Sequence, residues 1–169
     1  MTKTLDQTMI VDAVRGVTLE VCSTMLSLDI QFEEAYTETQ SSSNTDGVVS
    51  FVGMAGSRVG TGSLACSAEV ACRLASSFLM TDFDSVNDEV LDAFGELTNM
   101  VIGNLKSQVE EHFGPMGLSI PTVICGNNFS TRSLSHDEWT VVPFRLECGR
   151  LEVKICFKAA PDAAGPWQK

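Results

Sequence analysis

Residues 87–113 have the sequence NDEVLDAFGELTNMVIGNLKSQVEEHF, which predicts one long amphipathic helix. Asn87 can cap its N-terminus, and Asp88 and Glu89 place carboxylates at the positive end of the helix dipole. Gly114, followed by a proline, predicts the C-terminus, because glycine accepts the left-handed conformation there and proline cannot continue a helix. Apolar residues recur every three or four positions and predict one buried face: Val90, Phe94, Leu97, Val101 and Leu105.

A polar stripe follows another face of the same helix and consists of Asp92, Glu96, Asn99, Gly103 and Lys106. Glu96 and Asn99 are three residues apart, so their side chains are neighbours on the helix surface. Gly103 costs about 1 kcal/mol of helix stability relative to alanine, which indicates that something approaches this surface closely. A solvated helix face is the simpler interpretation of an isolated E-x-x-N spacing, and the spacing alone does not decide between the two.

The composition is that of an ordinary globular domain of 169 residues, with 44% hydrophobic and 20% charged residues. The formal net charge of −11 argues against nucleic acid or an anionic membrane as a partner, since both require a basic surface. No apolar run approaches the roughly 20 residues of a membrane span. The N-terminus MTKTLDQT lacks the features of a signal peptide, so we expect a cytoplasmic protein.

Other kinds of site find little support in the sequence. The six cysteines contain no C-x-x-C pair, so we expect free thiols, mostly buried, and no metal site. Neither His112 nor His136 lies near a nucleophile-elbow sequence, which favours surface histidines over a catalytic triad. The glycine-rich stretch 53–60 has no lysine after it and predicts a hairpin turn rather than a phosphate-binding loop.

The order of predicted elements is a helix, three strands, two helices and three strands. This order predicts an α+β fold whose pseudo-symmetric halves are each a helix followed by a three-strand meander. The six strands would form one antiparallel sheet with the long helices on one face. The first helix is predicted over residues 9–28, and a turn is predicted at 126–128. We expect one domain over residues 9–158, with flexible ends at 1–8 and 159–169.

The long helix resembles the signature helix of the CheC/CheX/FliY phosphatases of bacterial chemotaxis. The resemblance lies in D-x-x-x-E-x-x-N, ending at Asn99 within GELTNMVIGNLKS, in the later Pro121, and in the repeated order of helix and strands. CheC-like members carry two E-x-x-N helices, and CheX-like members carry one. The first helix of this chain offers only Glu20-x-x-Ser23, so the chain resembles the CheX type most.

The resemblance implies a phosphatase that hydrolyses the aspartyl phosphate of a CheY-like response regulator. It implies that Asn99 positions the attacking water, that Glu96 anchors the partner, and that Gly103 lets the partner's backbone come close, with Lys106 on the same surface. Asp92 either belongs to this surface or is a plain carboxylate of the helix. No cofactor of its own is implied, since the regulator would hold Mg²⁺, and a homodimer is expected.

Two other functions remain open from the sequence. A protein of this fold could bind a regulator, or dock on the flagellar switch, without turnover. It could also be a structural dimer whose polar stripe is only soluble surface, although that hypothesis leaves the combination of the stripe with Pro121 unexplained. The sequence does not identify the regulator, nor whether it belongs to chemotaxis or to another two-component pathway.

Overall fold

The sheet has six rows, and each of its two outer rows is divided into two strands. The computed structural model describes residues 6–39, 44–131 and 137–159. The helices in these ranges are α1 Gln7–Met25, α2 Ala68–Leu79 and α3 Asp88–Phe113. The strands are β1 Gln31–Phe32, β2 Tyr36–Glu38, β3 Asn44–Gly56, β4 Arg58–Cys66, β5 Met116–Leu118, β6 Thr122–Ser130, β7 Trp139–Leu146 and β8 Gly149–Ala159.

The strand order is β1-β7-β8-β4-β3-β5, with β2 also paired to β7 and β6 also paired to β3. Every one of these pairings is antiparallel, which confirms the predicted α+β class with an antiparallel sheet. The predicted number of six strands is wrong, because both outer rows are interrupted. In the row of β5 and β6 the interruption falls at residues 119–121, where Pro121 has no N–H to donate to a neighbouring strand.

The first half of the chain contains β1 to β4 and the second half β5 to β8, and the outer strands of each half pair with a strand of the other half. The hairpin of β3 and β4 meets the hairpin of β7 and β8 where β4 pairs with β8. β1 and β2 lie against β7 of the second half, and β5 and β6 lie against β3 of the first. The halves are thus pseudo-symmetric, but the predicted meanders are wrong. An alternating pattern indicates which face of a strand is buried, and it does not indicate which strand lies beside it.

The ends of the third helix, α3, follow the predicted caps. Asn87 Oδ1 accepts a hydrogen bond from Val90 N–H at 2.9 Å, and Gly114 ends α3 with a φ of 82°. The first helix differs, because it begins at Gln7 and ends before the predicted residue 28. Its end is followed by Ser27, which adopts a φ of 51° and turns the chain away from the helix axis.

The predicted turn at 126–128 is wrong, because these residues lie inside β6. The register between β6 and β3 shifts there, and Asn128 adopts a φ of 50°. Glycine and asparagine favour such bulges for the same conformational reason that they favour turns. Asp46 of β3 accepts a hydrogen bond from Asn128 N–H and ties the bulge to the sheet.

Some expectations fall on residues beyond the described ranges, namely His136 and the outermost parts of the two flexible ends, residues 1–5 and 160–169. Residues 6–8 form the cap and first turn of α1, and residue 159 ends β8. Across the ranges that are described, no helix has both the length and the hydropathy of a membrane span.

The three helices pack on one face of the sheet, and α3 lies in the middle between α1, α2 and the strands. The predicted apolar face of α3 is buried throughout. Gly62 of β4 explains the close approach, since a methyl group on it would lie 2.5 Å from Ile102 Cδ1 of α3. The helix therefore rests directly on the backbone of β4.

Candidate functional site

The polar stripe of α3 lies at the boundary between the core and the solvent. Asp92 and Glu96 are exposed, whereas Asn99, Gly103 and Lys106 are partly buried. Steps of four, three, four and three residues keep all of them on one side of the helix, over a length of about 21 Å. α3 thus brings together all five residues that the sequence predicts for the site.

A second piece of chain runs beside the stripe: residues 118–121, which join β5 to β6 and are called the flanking segment below. A methyl group on Gly103 would lie 3.5 Å from Leu118 Cδ1, and one on Gly95 would lie 3.7 Å from Pro121 Cγ. The two glycines are about 12 Å apart along the helix, and the flanking segment spans about 10 Å when extended. The flanking segment therefore runs antiparallel to α3, past the middle of the stripe.

Ser119 holds the flanking segment to β3. Its N–H donates to Gly53 O at 2.8 Å, and its Oγ accepts a hydrogen bond from Gly53 N–H at 2.8 Å. The same hydroxyl donates to Ile120 O at 3.2 Å. The backbone beside the stripe is thus fixed, while the Ile120 side chain stands in solvent and is 87% exposed.

Asn99 lies one helical turn from each of Gly95 and Gly103, in the middle of the stretch that the flanking segment follows. Its amide oxygen Oδ1 is buried, and no group in the described part of the chain donates a hydrogen bond to it. A buried acceptor without a donor costs about 1–3 kcal/mol. Half a turn of the amide about its last torsion exchanges the oxygen and the NH₂ group, so either can be presented outward. Within the described residues the fold thus leaves this oxygen without a donor.

The preceding residue, Thr98, fixes the rotation of α3 over the sheet. Thr98 Oγ1 donates to Phe94 O at 2.8 Å, so in its hydrogen bond with Ser50 Oγ of β3 it is the serine that donates. Both hydroxyl side chains are fully buried. Because Asn99 follows Thr98 directly, this bond also fixes the backbone from which the amide projects.

The charges of the stripe differ in how they are held. Asp92 and Glu96 form no ion pair within the ranges that the structure describes. Lys106 donates to Glu110 Oε1 at 2.8 Å, and the same oxygen accepts from Met116 N–H at 2.8 Å. These hydrogen bonds, that of Lys106 first, hold the pKa of Glu110 below its usual range. The stripe therefore presents two unpaired carboxylates and ends in a fixed ion pair.

On the first helix, the positions that correspond to Glu96 and Asn99 are Glu20 and Ser23, and the Ser23 hydroxyl bonds to the helix backbone. Glu20 and Ser23 of α1 are exposed. Ser23 Oγ donates to Glu20 O at 3.1 Å, and Thr24 Oγ1 donates to the same carbonyl at 2.7 Å. These hydroxyls therefore donate to the backbone of their own helix.

A separate cavity of about 550 Å³ lies beside α2, and no residue of the stripe lines it. Its walls include Cys72 and Cys148, together with Arg73 and Asp84. Burial, with a smaller effect from the nearby Asp84, raises the pKa of Cys72 and makes it a poor nucleophile. All six cysteines are free, and most are buried, as predicted. Among the described residues, no three metal-ligating side chains come together.

Three residues near the stripe are not predicted from the sequence: Gly95, Ser119 and Ile120. Gly95 carries a usable signal, because a glycine inside a helix is costly and a methyl group there would lie 3.3 Å from Val123 Cγ2. Ser119 and Ile120 carry no such signal, since their role depends on the contact with β3 across the sheet.

The class of fold follows from comparison with solved structures of the chemotaxis protein CheX. CheX from Vibrio vulnificus is 25% identical, and the match covers 88% of this chain and 99% of that one, with a TM-score of 0.78. CheX from Desulfovibrio desulfuricans is 23% identical, and the match covers 88% of this chain and 99% of that one, with a TM-score of 0.79. CheX from Borrelia burgdorferi was solved in complex with CheY, BeF₃ and Mg²⁺. It is 23% identical, and the match covers 88% of this chain and 97% of that one, with a TM-score of 0.75.

Residues 48–145, more than half of the chain, match the family model described as Chemotaxis phosphatase CheX. This chain therefore belongs to the CheX family, which confirms the resemblance recognised from the E-x-x-N helix. The matched range contains Glu96, Asn99 and Pro121. Among proteins with curated functions, none matches the sequence.

Proposed function

We propose that this protein is a phosphatase that hydrolyses the aspartyl phosphate of a CheY-like response regulator. The observation that carries the proposal is the Asn99 amide, whose buried oxygen has no donor in the described ranges, beside the unpaired carboxylate of Glu96. Membership of the chemotaxis phosphatase family supports the reaction. The Borrelia relative, crystallised with CheY, supports the class of partner.

Asn99 orients the attacking water in this proposal. An aspartyl phosphate is already an activated compound, so the phosphatase mainly has to place a water in line with the phosphorus. A carboxamide can accept a hydrogen bond from that water through its carbonyl, and it does not titrate. Half a turn of the amide brings the carbonyl oxygen outward, where it can accept the hydrogen bond of the water.

Glu96 anchors the partner. Its exposed carboxylate is suited to pair with a lysine of the regulator's active site, which places Asn99 over the phosphoryl group. Such a local pair is needed because a chain with a net charge of −11 does not attract a phosphorylated protein through its overall field. Asp92, one helical turn away, extends this carboxylate surface toward the N-terminus of α3.

Gly103 and Lys106 occupy the other end of the contact surface. A methyl group on Gly103 would make only an ordinary contact with Leu118 at 3.5 Å, so the fold itself does not require glycine there. A close approach of the partner's backbone accounts for a residue that weakens the helix. Lys106 donates one N–H to Glu110 and has two further donors for the partner.

The metal ion of the reaction belongs to the regulator in this proposal. The Borrelia complex contains Mg²⁺ together with BeF₃, which is a stand-in for a phosphoryl group on a carboxylate. We assign no metal ligand to this chain, and the Mg²⁺ of the regulator would neutralise charge on the phosphoryl oxygens.

We also propose a homodimer that uses the free edge of β6. This strand pairs only with β3 among the described strands, and its nine residues carry no charged side chain. The opposite outer row contains Glu38, a carboxylate of the kind that discourages edge pairing. Sedimentation velocity should show a dimer at micromolar concentration, and a monomer there would contradict the proposal.

The phosphatase function is tested by phosphate release from a panel of phosphorylated response regulators. Wild-type protein should accelerate release from at least one of them, and Asn99→Ala should slow that reaction by about 100-fold or more. Asn104→Ala changes an exposed asparagine of the same helix and should keep the wild-type rate. Undiminished activity in Asn99→Ala would contradict the role of Asn99, and binding without turnover by the wild type would favour the docking function.

A further inference from the structure

One large apolar side chain stands in solvent beside the proposed site. Ile120 is 87% exposed, at the centre of the flanking segment. A single exposed apolar residue is ordinary on a protein surface and needs no functional explanation by itself. Ile120 differs from such residues because its backbone is held in place, it lies beside the stripe, and the segment around it carries no charge.

The backbone of Ile120 is held on both sides. Ser119 forms two hydrogen bonds to Gly53, and its hydroxyl also donates to Ile120 O. The following residue is Pro121, whose ring restricts its own φ and the conformation of the residue before it. The side chain therefore projects from a fixed point, so little conformational entropy is lost when a partner covers it.

The position of Ile120 relative to the stripe follows from the residues of the flanking segment that lie beside Gly103 and Gly95. Leu118 lies beside Gly103, and Pro121 lies beside Gly95. Ile120 falls between them, next to the turn of α3 that carries Asn99. A partner that presents its phosphoryl group to the Asn99 amide must also cover this part of the flanking segment.

The charge distribution favours approach over this side of the site. Residues 114–131 contain no charged side chain, although the chain as a whole carries −11. The stripe itself holds the carboxylates of Asp92 and Glu96, which form no ion pair within the described ranges. A phosphorylated partner is repelled by carboxylates and not by an uncharged segment, so its phosphoryl side can lie over the flanking segment while a cation pairs with Glu96.

We propose that Ile120 is the apolar docking residue for the response regulator, filling an apolar patch next to the regulator's phosphorylation site. This inference rests on the proposed phosphatase function. Ile120 and Glu96 then both hold the partner near Asn99, one by apolar burial and one by charge. Ile120 touches none of the reacting atoms, so it sets the affinity for the regulator and leaves the chemical step alone.

The test compares Ile120→Ser with Met80→Ser. Met80 is 94% exposed at the end of α2, and its replacement removes a similar apolar surface from another element. Ile120→Ser should raise the KM for the phosphorylated regulator about tenfold to hundredfold with an unchanged kcat, since it removes contacts made equally in the ground and transition states. Ile120→Leu should restore the affinity, and Met80→Ser should behave as the wild type.

The binding of the regulator with BeF₃ and Mg²⁺ gives a second readout that does not depend on turnover. Its Kd should rise by the same factor in Ile120→Ser, while the thermal unfolding midpoint and the oligomeric state stay unchanged. An unchanged KM and Kd in Ile120→Ser, or a change of oligomeric state, would overturn the role of Ile120. If the wild type is active and Asn99→Ala is inactive, such a failure of Ile120→Ser overturns only the role of Ile120. A wild type that neither binds nor dephosphorylates any regulator overturns both the phosphatase function and the role of Ile120.

Discussion

Thr98 of α3 and Ser50 of β3 share a fully buried hydrogen bond, one residue away from the amide proposed to hold the water. Thr98 also donates to Phe94 O at 2.8 Å, so the serine is the donor between the two hydroxyls. The two residues are therefore not equivalent. Replacing Ser50 by alanine leaves Thr98 its bond within the helix, whereas replacing Thr98 by valine leaves the Ser50 hydroxyl without a partner in the core.

We expect Thr98→Val to lower the free energy of unfolding by about 1–3 kcal/mol and Ser50→Ala to lower it by about 1 kcal/mol. The double variant should lose less than the sum, because neither polar group is then left unpaired. Urea unfolding of all four proteins measures this coupling. Strict additivity would contradict the arrangement. The kcat of Thr98→Val should also fall, since Asn99 loses its fixed backbone.

Gly103→Ala should separate the stability of α3 from the docking of its partner. The new methyl group meets Leu118 only at ordinary contact distance, so the helix gains about 0.5–1 kcal/mol and the unfolding midpoint rises by a few degrees. The KM should rise about tenfold, because the methyl group blocks the partner's approach.

The matched control for Gly103 is Gly16→Ala on α1, where a methyl group would meet nothing within 4 Å. It should raise stability similarly and leave the KM unchanged. A Gly103→Ala variant with a wild-type KM would show that no partner comes close at this position.

Substitutions of Glu96 should act on the encounter with the regulator. Glu96→Gln removes the charge and keeps the shape, so we expect a higher KM, a smaller dependence of KM on salt, and an intact fold. Glu96→Lys should weaken binding further. Equal affinities of wild type and Glu96→Gln across salt concentrations would remove the anchor role.

Asp92→Asn decides between the two interpretations of Asp92. If Asp92 contributes to the contact surface, Asp92→Asn should raise the KM and reduce its salt dependence, both by less than Glu96→Gln does. A plain helix carboxylate should give a KM and a salt dependence equal to those of the wild type. Both kinetic constants are measured with the regulator that responds most strongly to the wild-type protein.

The stability of the protein should depend on pH through Glu110. Lys106 and the N–H of Met116 lower the folded-state pKa of this carboxyl, so its contribution is present above the unfolded-state pKa of about 4.3 and is lost as the pH falls through the folded-state value. Glu110→Gln should lower the unfolding midpoint at pH 7, and the difference from wild type should shrink on acidification.

The neighbouring exposed Glu111 offers the control for Glu110. Glu111→Gln should change the unfolding midpoint little at any pH, because this carboxylate forms no ion pair in the part of the chain that the structure describes. The same pH profile for both variants would show that the pair with Lys106 has no special effect.

The long helix is predictable from the sequence because its causes are local. Asn87 and Gly114 act through contacts within one turn, and the apolar positions from Val90 to Leu105 follow a helical period that any amphipathic helix must follow. The stripe from Asp92 to Lys106 comes with the helix, since residues three and four apart share a side.

The neighbours of that helix are not predictable in the same way. Ser119 acts through Gly53, which is far away in the sequence, and the exchange of outer rows places β5 and β6 against β3 of the other half. Strand pairing depends on which edges are free after the hairpins have formed, and a pattern of buried faces does not record this.

The sequence by itself determined one capped helix with a buried face and an E-x-x-N pair on its polar side, because spacing along a helix converts directly into position. Only the tertiary structure decided what lies beside that pair. It placed the flanking segment next to Asn99, left the amide oxygen without a donor in the described ranges, and exposed Ile120. Those features arise from long-range pairing across the sheet, where the partners of a residue are fixed by the packing of the whole fold.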